Sequence, residues 1–262
     1  MNETVLQKHF DLKRFLHLIR YELFSRYRAL TVILSVTVGI VFLTAVFSAA
    51  ASSGFRVYQI LYPCLILMVG GIIFSSLAFK ETHETGNDLR YLTLPCSRLE
   101  KTLAKFLITA PGYVLLSVAA TFAASLLAAP FSLLMFGRTH GLFNPFTSGV
   151  LKIMGIYLII QSIFVFGSLY FRKAALAKTI LSLMALAFAL VLFAGLVFAL
   201  THIDLIVKGA WVEWRYAAEP FRSRAFLDFW RYVPWFVGRF LIAPFFWILT
   251  FIRLGEQEVR SV

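Results

Sequence analysis

Five long apolar runs of this chain contain no Asp, Glu, Lys or Arg: residues 29–50, 58–79, 106–129, 153–171 and 179–201. They hold no histidine either. A proton- or ion-coupled transporter needs a carboxylate or histidine relay at depth, so this absence argues against that class. Charge is scarce throughout, with 15% charged against 60% hydrophobic residues and a mean hydropathy of +0.81. A soluble domain is nearer one quarter charged. Too little polar surface remains to face water, so the expected solvent is lipid. Cysteine occurs only twice, as Cys64 and Cys96, and excludes a disulfide framework or a thiolate metal site. No Gly-x-x-x-x-Gly-Lys run is present to cradle a nucleotide phosphate, and no Gly-x-Ser-x-Gly elbow to present a nucleophile. His9, His17, His83, His140 and His202 form no i, i+3 or i+4 pair. No catalytic residue, cofactor or metal is therefore expected. The opening "MNETVLQKHFDLKRF" lacks the short apolar stretch and small-residue cleavage site of a signal peptide.

What is present is a membrane plan. About twenty apolar residues cross roughly 30 Å of hydrocarbon. The five runs and a sixth, 233–252, which carries only Arg239, give six expected transmembrane helices in an all-α membrane protein. Lipid offers no partner to backbone N–H and C=O groups, so each span must be helical. Acidic residues are few, 13 against 25 basic, for a formal net charge of +12. The basic residues sit mostly beside apolar runs, where they set topology and meet anionic head groups. Nucleic acid is not an expected partner. Basic residues crowd the start (Lys8, Lys13, Arg14, Arg20, Arg26, Arg28), the connection after the second run (Lys80, Arg90, Arg98, Lys101, Lys105) and the turn after the fourth (Arg172, Lys173, Lys178). The positive-inside rule places these connections, and both termini, in the cytoplasm of a multi-pass cell-membrane protein. The basic connection between the fifth and sixth runs runs against that count.

Residues 1–28 are expected to form an amphipathic interfacial helix ahead of the membrane domain, 29–262. Leu12, Phe15, Leu16, Ile19 and Leu23 recur at helical spacing, with Lys13, Arg14, His17 and Arg20 largely off that stripe. Residues 202–232 alternate aromatics with charges, and Trp211, Trp214 and Trp230 suit the membrane–water boundary. Short outer helices, re-entrant or surface-lying, are expected there. Ala120, Ala124 and Ala128 repeat every four positions, as do Gly71 and Ser75, which favours close helix packing. Pro111 and Gly112 predict a kink in the third span. Gln161 predicts a helix–helix hydrogen bond.

The segment "KETHETGNDLRYLTLPCSRLEK", residues 80–101, interrupts this pattern. Ser97 and Glu100 form a Ser-x-x-Glu capping box after Pro95, so a helix should start at Arg98 and run directly into the third span. Leu89, Tyr91, Leu92 and Leu94 are more apolar than a free solvated loop requires.

These residues resemble the cytoplasmic loop of ABC-2-type exporter permeases. The family pattern has an acidic residue, matched by Glu81 or Glu84, then Gly86. A short leucine-bearing stretch follows at 89–94, then Pro-x-Ser-Arg at Pro95, Ser97 and Arg98, and a lysine at Lys105 as the next span begins. Asn87 departs from the family's usual threonine. The layout of six spans, lead-in helix and outer helices also looks like that family. The resemblance implies a half-transporter without ATPase activity of its own. Its loop would be a coupling helix seated in a groove of a separate ATP-binding subunit, with a second permease chain, identical or different, completing the pair. Glu84, Gly86, Leu89, Arg90, Tyr91, Leu92, Pro95, Ser97 and Arg98 would then form the coupling segment within residues 80–105. Leu89, Tyr91 and Leu92 would fill the groove, and Arg90 and Arg98 would meet its acidic rim. The alternative is a non-transporting membrane subunit that anchors or regulates another complex.

Overall fold

The computed structural model describes residues 10–50, 62–80, 96–137, 142–201 and 238–260. Among them every regular element is helical. Helix α1 spans Leu12–Ser25 and α2 Tyr27–Ala50. A π-helical stretch, Tyr62–Gly70, leads into α3, Gly71–Ser76. Helix α4, Arg98–Leu107, passes through a π turn, Ile108–Gly112, into α5, Tyr113–Phe136. Helices α6, Ser148–Tyr170, and α7, Ala175–Thr201, follow. The last helix, α8, spans Ala243–Arg260 behind a π turn at Gly238–Ile242.

Four helices are long and apolar enough to cross a membrane: Tyr27–Ala50, Arg98–Phe136, Ser148–Tyr170 and Ala175–Thr201. They contain the first, third, fourth and fifth expected spans. The second is represented by the shorter apolar helix Leu65–Ser76. The sixth overlaps the π turn Gly238–Ile242 and α8, but its start, 233–237, lies outside the described residues. The outer segment, 202–232, lies outside them too.

Helix α1 starts where Asp11 accepts a hydrogen bond from the Lys13 amide, an N-cap that satisfies one open donor. The sequence stripe gives the helix, but not the face it buries. Phe15, Leu18 and Glu22 are buried, while Leu12, Leu16 and Leu23 are exposed. Phe15 and Leu18 pack on Ala104 of α4, with Ile19 and Cys96 beside them. The apolar residues of α1 thus serve two surfaces, one on the protein and one outside it.

The α2–α5 contact is the most extensive helix pairing. Ala124 and Ala128 of the expected small-residue stripe are fully buried in it, alongside Val41 and Ala45. Small side chains let two helices approach until their backbones nearly touch, which is how association is favoured when lipid supplies no hydrophobic drive. Helix α6 is central and touches α3, α7 and α8. Helix α7 meets α6 near its start, where its single buried residue, Thr179, presses on Gly167. Beyond that, leucines and phenylalanines from Leu181 to Leu200 are exposed around the helix, a surface suited to an apolar solvent.

The irregularity expected at Pro111 is a π turn. Proline cannot donate its backbone bond, and the wider turn absorbs the defect. A Cβ at Gly112 would stand 2.6 Å from the Leu107 carbonyl oxygen, so the bulge needs glycine there. Thr109, inside the turn, donates its hydroxyl to the Lys105 carbonyl at 2.7 Å and sits 3.2 Å from Gln161 Oε1 of α6. Gln161 is fully buried and bridges helices. The Tyr157 hydroxyl donates to the Thr109 carbonyl at 2.7 Å, so the carbonyls that the bulge exposes find side-chain donors.

Candidate coupling site

Residues 81–95 leave the end of α3 and return at Cys96. Of the expected coupling residues, Glu84, Gly86, Leu89, Arg90, Tyr91, Leu92 and Pro95 lie outside the described residues. Ser97 and Arg98 are described, together with both flanks of the segment.

Ser97 is extended, with φ −69° and ψ 154°, and its Oγ accepts from the Glu100 amide at 3.2 Å. Glu100 Oε2 accepts from the Ser97 amide at 2.8 Å. The reciprocal pair satisfies two helix-end donors and sets the start of α4. From there helical structure continues, through the π turn at Ile108–Gly112, to Phe136. The return flank is therefore a capped lever continuous with a membrane-length helix, as the spacing predicts. The Arg98 guanidinium lies against Gly255 of α8, where an added Cβ would be 2.8 Å from its Nη1. Arg98 thus faces the carboxy-terminal helix.

Glu100 does more than cap. Its Oε1 accepts from the Asp11 amide at 2.8 Å and from Arg14 Nη2 at 3.4 Å. The side chain is 0% exposed. One carboxylate thus ties the start of α4 to the start of α1. Burial pushes the neighbouring Cys96 thiol up from its ordinary range, and the Glu100 charge adds to that. Both effects disfavour the thiolate.

At the other end of α1 stands a second ionic group. Glu22 is 0% and Lys105 1% exposed, and Lys105 Nζ lies 2.5 Å from Glu22 Oε2. Arg26 Nε donates to the same oxygen at 3.3 Å. Arg26 sits in the break between α1 and α2. Its Nη1 donates to the Leu77 carbonyl at 3.1 Å and its Nη2 to the Ala78 carbonyl. These carbonyls belong to the turn that ends α3, at the departing flank of the segment. Lys105 Nζ also lies 5.3 Å from the centroid of the Phe79 ring, within cation–π range. Buried charges persist only when paired and bonded, and here two cations meet the same oxygen of one buried carboxylate.

Sequence reasoning placed Lys105 in the family pattern but missed Glu22 and Arg26 beside it, and missed Asp11 and Arg14 as partners of Glu100. A signal for Glu22 existed. It is the single acid of α1 and follows Phe15 and Leu18 at i+7 and i+4, on the buried spacing. An acid on that spacing needs a cation from elsewhere. Among the described residues no three His, Cys, Asp or Glu side chains are placed to hold a metal. Comparison with family models, with curated proteins and with solved structures gives no match.

Proposed function

We propose that this chain is the transmembrane permease subunit of an ATP-driven exporter of the ABC-2 type, coupled to a separate ATPase through residues 80–105. The observation that carries this reading is the capping box of Ser97 and Glu100 at the head of one continuous helix, Arg98–Phe136. A push at such a helix start would be delivered along its axis to the π turn at Ile108–Gly112 and the span beyond it. The quoted motif, Pro95-x-Ser97-Arg98 with Gly86 and Lys105, supports the same reading. So does the fusion of α1 to this lever through Glu100, since a lead-in helix beside the joint belongs to that layout. The chain would work as one of a permease pair, six spans each, in the cell membrane. Spans rich in Phe, Leu and Ala favour a lipid, an amphiphile or a hydrophobic peptide as cargo.

The test is reconstitution. The purified chain alone should hydrolyse no ATP, because it has no phosphate-cradling loop. Co-expressed with a candidate ATP-binding subunit from a neighbouring gene, it should co-purify, and the pair should show ATP-dependent cargo movement in vesicles. Hydrolysis by the chain freed of other ATPases, or no association with any neighbouring ATPase, overturns the reading. The second result leaves the anchoring-subunit alternative.

The basic connections carry a further expected outcome. A cysteine placed at Glu84 or in the carboxy-terminal tail should react with an impermeant thiol reagent only from the cytoplasmic side. A cysteine at Thr147, the residue before α6, should react only from outside. The reverse pattern would invert the topology and remove the coupling segment from the ATPase side.

A further inference from the structure

The two flanks of residues 81–95 are both fastened to α1, and by different chemistry at each end. The departing flank, Leu77 and Ala78, is held by the forked guanidinium of Arg26. The returning flank is held twice, by Glu100 on Asp11 and Arg14 and by Lys105 on Glu22. Glu22 joins the two, because one of its oxygens meets both Arg26 and Lys105. All three charges of this group are buried.

We propose that Glu22, Arg26 and Lys105 form a joint that makes α1 move as one body with both flanks of residues 81–95. A displacement of either flank is then delivered to the break at Arg26, where α1 turns into α2. That a displacement comes from an ATPase rests on the proposed function; the joint itself does not.

The chemistry favours a joint over plain adhesion. Apolar side chains of similar volume often hold a buried contact as firmly as an ion pair does. They do not fix orientation, because dispersion contacts are non-directional. A guanidinium fork on two successive carbonyls does, since its donors are rigid and planar. The fork also reaches backbone rather than another side chain, so the α3 end cannot shift without carrying Arg26. Arg26 is itself the last link of α1, with its amide bonded to the Glu22 carbonyl at 3.2 Å.

Spin labels at Arg20 on α1 and Ser182 on α7, in the full chain in nanodiscs with Cys64 and Cys96 replaced by alanine, read the joint directly. The unaltered junction should give one narrow distance. Glu22→Gln with Lys105→Met keeps volume, removes the Glu22–Lys105 ion pair and leaves Arg26 a side-chain oxygen to bond; it should stay folded by thermal melting yet lose the single narrow distance. Arg26→Lys is the milder variant. It keeps the charge but loses the fork, and should give the same loss. A folded double variant, or Arg26→Lys, that keeps the narrow distance would show the junction to be packing alone and overturn the joint. Adding the partner ATPase separates the two readings. With ATP the label distance should change in the unaltered chain. In Arg26→Lys the ATPase should still bind, but that change should be lost. A narrow distance that never responds to any ATPase counts against the proposed function and leaves the joint standing. A full ATP response in Arg26→Lys counts against the joint and leaves the proposed function standing.

Discussion

Gly71→Val should destabilise the folded protein by about 3 kcal/mol or more, since overpacking alone costs about 1–3. Gly71 opens α3 opposite two buried tyrosines. A Cβ there would stand 2.8 Å from Tyr157 Cζ and 2.9 Å from Tyr113 Cε1. Neither ring can retreat freely. The Tyr157 hydroxyl donates to the Thr109 carbonyl at 2.7 Å, and the Tyr113 hydroxyl to the Ile66 carbonyl at 2.8 Å. Tyr113 also stacks on Phe74, with ring centroids 5.4 Å apart. Moving either ring strands a buried carbonyl, which adds roughly 1–3 kcal/mol. The Thr109 carbonyl lies in the π turn, so the loss would reach the lever as well as the core. Gly39 provides the control, because an added Cβ there meets nothing within 4 Å. Gly39→Val should change stability by less than about 1 kcal/mol. The measurement is thermal unfolding of the purified protein in one detergent. A drop of roughly 6–12 °C for Gly71→Val is expected. Equal melting of the two variants would mean that the close approach at Gly71 carries no energy.

Leu92→Asp should weaken association with the ATPase on the order of tenfold or more. Under the proposed function, Leu92 is one of the apolar residues that dock. Burying a leucine contributes about 1.5–3 kcal/mol. An aspartate in its place also carries an unpaired charge into the contact. About 1.4 kcal/mol corresponds to tenfold in affinity. Arg90→Ala should do less, because a charge pair on a solvated rim is worth about 0–1 kcal/mol. Neither residue lies in a membrane span, so both variants should reach the membrane at the level of the parent chain. Co-purification with the ATPase and transport in vesicles are the readouts. If Leu92→Asp inserts normally and keeps both partner and transport, residues 81–95 are a loop and not a coupling element.

The parts of the fold that rest on local rules were legible in advance. The start of α4 needs only Ser97, Glu100 and the two amides between which they are shared, all within four positions. The break at Pro111 follows from a missing donor. Ala124 and Ala128 announce a close contact through their size and period, although not with which helix. Gln161 announces a hydrogen bond because an amide among apolar side chains must find one, and Thr109 of the third span meets it. The second and sixth spans are less clearly drawn. Around α3 the helical geometry changes from π to α within a short stretch. Helix α8 mixes Arg253, Glu256 and Gln257 into its apolar sequence, so length and composition alone do not mark it as a span.

Which residues of α1 are buried was not legible, for an identifiable reason. Counting apolar positions gives a stripe of Leu12, Phe15, Leu16, Ile19 and Leu23, of which Phe15 is buried while Leu12, Leu16 and Leu23 are exposed. Which side meets protein depends on where α4 stands. Glu22, a residue that hydropathy assigns to water, lies on the buried side because Lys105 and Arg26 meet it there.

Composition by itself determined that this chain is helical and built for an apolar solvent, because backbone groups outside water can be satisfied only within helices or closed barrels, and the apolar runs have helical length. Local sequence also determined where the long helix Arg98–Phe136 begins and where it deforms, because capping and proline chemistry act within one turn. Only the tertiary structure decided which partners the buried charges meet. Glu22 and Lys105 are 83 positions apart, Arg26 and Ala78 are 52, and Asp11 and Glu100 are 89. No local period links such positions. Their pairing is set by the packing of α1 against α4 and by the reach of Arg26 to the turn after α3, which brings buried charges to partners without which they would bear the full cost of leaving water.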